Sequence, residues 1–188
     1  MALYDIEYMN CLGISHYGEE YVESSGVVEL TDDDAAKIIE LIRKEGTSDI
    51  EALKLKEVYP DIYKKLDEAY YKMAYDAEEL YWLRFGYEND GCDCDYNELM
   101  EYCKENCGFK FEYNEKDYIK DGKFDEGSME DDEIDAFDEW LNDYIYSLDD
   151  DEARDFLKNK MGDEVNLDEI TYEVAIPEEI IEMAEKKD

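Results

Sequence analysis

The sequence predicts an α+β protein, mostly helical, with a short N-terminal antiparallel pair, a small C-terminal sheet and a strongly acidic surface. Three observations carry this. Apolar residues recur at helical spacing over most of the chain after residue 31, and strand-like patterns are confined to short stretches near residues 3–30, 109–124 and 170–176. The third is aromatic content: 18 Tyr, 6 Phe and 2 Trp accompany a formal charge of -37 on 188 residues. Disordered acidic chains are poor in aromatics, so this one has the apolar material to fold against its own repulsion.

Residues 3–9 and 20–30 carry β patterns, with Tyr21, Val22, Val27, Val28 and Leu30 flanking a Ser24-Ser25-Gly26 turn. Thr31 then has the character of an N-cap, with Asp32, Asp33 and Asp34 where a helix dipole favours negative charge. Ala35, Ile38, Ile39, Leu41 and Ile42 form the apolar face of that helix, and Gly46 is its stop. Pro60 opens a long helix reaching about Phe85. Its stripe of Ile62, Leu66, Ala69, Met73, Ala77 and Leu80 is widened by Tyr63, Tyr70, Tyr71, Tyr75, Tyr81 and Trp82. Spacing leaves open whether those aromatics are core or a recognition face.

Glu88-Asn89-Asp90-Gly91 is the clearest turn, and divides the chain into an N-terminal lobe (1–88) with the Tyr-rich helix and an acidic C-terminal lobe (89–188). The second lobe reads as a helix over 95–106 and strands over 109–113 and 118–124, with a tight turn at Asp121-Gly122. Helices over 129–147 and 149–160, a strand over 170–176 and a helix after Pro177 complete it.

The charge is the strongest functional signal. A small domain stays soluble with a net charge of about 2–8 in magnitude, so an excess of this size selects a basic partner and repels nucleic acid and anionic membrane. Between Lys123 and Arg154 no base occurs, while fourteen carboxylates do: Asp125, Glu126, Glu130, Asp131, Asp132, Glu133, Asp135, Asp138, Glu139, Asp143, Asp149, Asp150, Asp151 and Glu152. Ile134, Phe137, Leu141, Tyr144, Ile145 and Leu148 supply an apolar face for the helix, leaving most of these acids on solvated faces. The eight from Glu130 to Asp143 average one per about 3.5 Å over the roughly 28 Å of the helix predicted at 129–147, close to the spacing of about 3.4 Å along one DNA strand. Such a surface would compete for a groove lined with Lys and Arg.

Other chemistries are poorly supported. Cys92, Cys94, Cys103 and Cys107 bring four sulfurs together in sequence, but the C-x-C opening is too short for a common zinc motif, and neighbouring acids raise thiol pKa values. An odd number of cysteines points to reduced thiols in a cytosol. Asp117–Ser128 approaches a calcium loop, yet Ile119 and Ser128 replace ligands at its third and twelfth positions. The single histidine, His16, has Cys11 nearby in sequence without forming a recognisable catalytic pair. Phosphate-binding loops, dinucleotide fingerprints and hydrolase motifs are missing.

The expected protein is therefore non-enzymatic, without a cofactor, and cytoplasmic. No secretory signal or apolar run of about 20 residues is present. In composition it resembles the acidic inhibitors that imitate nucleic acid, among them anti-restriction and anti-CRISPR proteins of phages and mobile elements. That resemblance implies an anti-defence DNA mimic that blocks a basic nucleic-acid-handling protein. An immunity protein against a basic nuclease toxin, or an acidic adaptor or structural module with or without zinc, is the alternative.

Overall fold

The computed structural model describes residues 1–15, 18–90, 94–165, 167 and 169–186. Strands β1 (Ala2–Ser15) and β2 (Gly18–Leu30) pair antiparallel. Helices α1 (Asp32–Glu45), α2 (Leu55–Val58) and α3 (Pro60–Asp90) follow, then α4 (Tyr96–Asn106) and a 3-10 turn at Glu115–Tyr118. Short strands β3 (Ile119–Lys120) and β4 (Lys123–Phe124) precede α5 (Glu126–Ser147), α6 (Asp150–Asn159) and α7 (Glu178–Glu185). The α+β class is as the sequence predicts.

The chain divides into two units: Met1–Tyr81 with Asn166–Asp188, and Trp82–Val165. This differs from a boundary at 88/89 because Ile176, Ile180 and Ala184 join the core of Tyr4, Ile6, Val28 and Leu30. Glu88 and Asn89 belong to the last turn of α3 and make no lobe-separating turn. The charge redistributes accordingly. The first unit holds 28 acids and 10 bases, the second 28 acids and 9 bases, so both are strongly acidic.

In the first unit, period-two alternation places Tyr4, Ile6, Tyr8, Val22, Val28 and Leu30 on the buried face of the hairpin. The pair is longer than expected, and Ser24, Ser25 and Gly26 are not a turn. They lie within β2 opposite Tyr8, Glu7 and Ile6. Gly26 is explained by packing: a Cβ there would stand 3.1 Å from the sulfur of Met73 on α3. In the Tyr-rich stretch of α3, Tyr70 is buried in the core, Tyr63 and Tyr81 pack half-buried against it, Tyr75 and Trp82 are half-buried, and Tyr71 is exposed.

Helix α1 begins with a complete capping box: Thr31 Oγ1 accepts from Asp34 N at 3.1 Å, and Thr31 N donates to Asp34 Oδ2 at 3.0 Å. Gly46 closes the helix at φ 71°. Burial opposes ionisation of Asp34, but Lys65 Nζ at 2.6 Å and the Thr31 bonds outweigh it and hold the carboxyl at about 2. A depressed pKa contributes stability above the ordinary carboxylate value of about 4, lost as pH falls through about 2. Asp34→Asn should lower stability at pH 7 by roughly 1–2 kcal/mol, with the difference from the parent shrinking as pH falls from about 4 and disappearing below about 2 in urea titrations. A constant difference across that range would show that the ion pair contributes nothing.

In the second unit, Leu83, Leu99, Met100, Cys103, Phe109, Phe137, Leu141, Ile145, Phe156 and Leu157 are buried. Gly108, at φ 88°, turns the chain after α4, and residues 109–113 are not a strand. Phe109 enters the core instead, and its N–H closes α4 on Cys103 O at 3.2 Å. The Asp121-Gly122 turn is as expected: both residues have positive φ, 52° and 76°, and join β3 to β4 as a tight hairpin. Residues 170–176 form no strand either: among the described residues no strand pairs with them.

Candidate functional site

Helix α5 is held by one face. Phe137, Leu141 and Ile145 are completely or almost completely buried, each contributing about 1.5–3 kcal/mol as an upper estimate. A column of rings reinforces them: Phe137 lies 4.9 Å from Phe109 and 5.9 Å from Trp140, which stacks on Tyr144 at 4.8 Å; Tyr144 meets Phe156 edge-on at 5.3 Å. At 1.5 Å per residue the helix is about 33 Å long. Its acids therefore project from a rigid rod.

Twelve of the fourteen acids predicted from sequence are exposed; Asp125 and Glu133 are half-buried. They separate by role. Asp125 caps α5, accepting from Ser128 N at 3.4 Å, and pairs with Lys120 at 2.6 Å, which holds its carboxyl below the usual range. Asp125, at the ninth position of the calcium-like stretch, is thus engaged by Lys120. Asp149 caps α6, with Asp150, Asp151 and Glu152 in its first turn, where the dipole favours anions. Asp151 also meets Arg154 at 2.9 Å, and Asp150 lies 3.9 Å from Arg84. These five, together with Glu126 at the start of α5, have a local structural use.

Three more acids are engaged by neighbours. Glu133 is neutralised by Lys104 at 2.8 Å, Asp132 accepts from the Tyr118 hydroxyl at 2.8 Å, and Asp138 accepts from the Tyr96 hydroxyl. Desolvation raises the Asp138 pKa.

Five remain. Glu130, Asp131, Asp135, Glu139 and Asp143 are exposed and bond to no described residue. The last four follow one another at i,i+4 and make a ridge with carboxylates about 6 Å apart along the axis. Like charges at that spacing cost about 0.2–0.5 kcal/mol per pair, roughly 1 kcal/mol for the three pairs. The buried face outweighs this several-fold, so the helix tolerates a ridge that its own stability does not require. Fewer acids are free than composition alone implied.

An exposed aromatic chain was not foreseen in this role. Phe111 stacks on Tyr113 at 5.7 Å, Tyr113 meets Tyr118 at 5.9 Å, and Tyr118 meets Phe124 at 6.3 Å. Tyr113, Ile119 and Phe124 are each about half exposed. The alternation of Phe109, Phe111 and Tyr113 was its signal, and it read as strand.

Among the described residues the cysteines form no group that could hold a metal ion. Cys94 is disulfide-bonded, which corrects the expectation that every thiol is reduced and removes a thiolate ligand. Cys92 and His16 lie outside the described residues. Burial, with Cys107 beside it, pushes the Cys103 thiol up to about 12, the opposite of what metal binding needs. Among the described residues, no group of three or more His, Cys, Asp or Glu could hold a metal ion, and no helix is long and apolar enough to cross a membrane. No family model, curated protein or solved structure matches the chain.

Proposed function

We propose that this protein is a non-enzymatic acidic inhibitor that imitates nucleic acid and blocks the binding groove of a basic nucleic-acid-handling protein, an anti-restriction, anti-CRISPR or other anti-defence activity. The supporting observation is the ridge Asp131, Asp135, Glu139, Asp143, presented on a packed helix and paired with no described cation. A groove of Lys and Arg that releases counterions to phosphates would release them to this ridge on the same grounds. Tyr113 and Phe124 have the exposure and chemistry of interface anchors, which supply specificity that charge alone does not. Association would be fast and salt-sensitive, because exposed charges are screened beyond about 8–10 Å at ordinary ionic strength.

The test is capture from a host lysate at low salt, identification of the enriched protein by mass spectrometry, and challenge with duplex DNA or RNA. One basic nuclease, helicase or effector should be enriched and released by nucleic acid. A specific partner that ignores saturating nucleic acid would make the protein an adaptor and end the mimic reading.

A further inference from the structure

The chain from Ile170 to Ile176 has the burial pattern of a strand without a strand's partner. Ile170, Tyr172, Val174 and Ile176 turn toward the core while Thr171, Glu173 and Ala175 are exposed, as in an extended segment lying along one face. Among the described residues, strands β1 and β2 pair only with each other. Two tyrosines hold the segment instead: the Tyr8 hydroxyl stands 3.3 Å from Thr171 O, and the Ala175 N–H is directed to the Tyr70 hydroxyl.

Backbone groups of alternate residues in an extended chain point to opposite edges. Thr171 and Ala175 thus face the tyrosines along one edge, and Tyr172 and Val174 present N–H and C=O along the other. None of those four groups bonds to a described residue. Tyr172 to Ala175 also line an open cleft of about 920 Å³, together with residues 48–51 and 54–57 and with Tyr63 and Asp67 of α3. That volume is in the range of ordinary ligand sites.

We infer that this cleft takes an extended, lysine- or arginine-bearing segment of a partner protein, which adds a strand to the edge at Tyr172 and Val174. Main-chain bonds would supply register, as in other strand-addition complexes. Charge selects the occupant: Asp49, Glu51, Glu57, Asp67 and Glu173 line the cleft against Lys54 and Lys56. A second copy of this chain, at -37, is repelled. The inference does not depend on the α5 ridge.

The experiment uses the full chain and an acetylated, amidated hexapeptide of alternating lysine and valine, with amide hydrogen exchange read residue by residue. At saturating peptide, exchange at Tyr172 and Val174 should slow by about tenfold or more. A peptide of the same charge, N-methylated on alternate residues to remove its ladder donors, should bind about tenfold more weakly. Failure to bind, binding without protection of those two amides, or equal binding of the N-methylated peptide would each overturn the inference. The variant Asp131→Lys/Asp135→Lys/Glu139→Lys should bind the hexapeptide as the parent does. Loss of binding in that variant would place the lysines on α5 and also overturn it, whereas its effect on nucleic-acid-displaceable capture tests the α5 ridge separately.

Discussion

Reversing Asp131, Asp135 and Glu139 to lysine together should abolish capture of the nucleic-acid-displaceable partner while leaving the fold intact. Each change removes an exposed carboxylate with no described bond and puts a cation in front of a basic groove. Even at about 1 kcal/mol per site, three sites lower affinity by roughly two orders of magnitude, and directly apposed charges cost more than that. Glu139 is reversed rather than Asp138, because Asp138 receives the Tyr96 hydroxyl and is partly desolvated. Reversal at Asp138 would confuse binding with packing. The fold should not register the change: surface charges at i,i+4 alter helix stability by only a few tenths of a kcal/mol each. Circular dichroism and a urea midpoint matching the parent would establish that. Undiminished capture at low salt by the triple variant would remove α5 as the binding surface.

Phe137→Ala should destabilise the second unit by about 3–5 kcal/mol, the range for deleting a fully buried ring. Phe137 has no exposure and touches the rings of Tyr96, Phe109 and Trp140 at 5.2, 4.9 and 5.9 Å. Against a typical total of about 5–15 kcal/mol, that is a large fraction of what holds a domain of this size. A fall in urea midpoint of about 2 M is expected, together with loss of the near-ultraviolet signal of Trp140. A shift of less than about 0.5 M would mean that the ring column does not fasten α5.

Much of the helical architecture was legible in the chain because its signals are local. Thr31 with Asp34 and Gly46 frame α1 through bonds among near neighbours, and Asp121-Gly122 adopts its turn because its backbone conformation is a local matter. The same holds for the apolar stripe of α5 and for the exposure of most of its carboxylates, which follow from a period of 3.6 residues.

Where pairing or long-range contact decides, the reading failed. Ser24-Ser25-Gly26 has turn composition, yet Gly26 is required by the approach of Met73 from α3, about fifty residues away. Phe109–Tyr113 and Ile170–Ile176 alternate as strands do, but a strand needs a partner that alternation does not specify. Which of fourteen acids stay free was hidden for the same reason. Lys104, Tyr96 and Tyr118 engage Glu133, Asp138 and Asp132 across 14 to 42 residues, and no composition or period records such distances. The chain alone thus sets its charge, its helices and their caps, all consequences of neighbours within a turn or two. Strand pairing, the return of the C-terminal segment to the first unit and the identity of the free carboxylates arise only when distant residues meet.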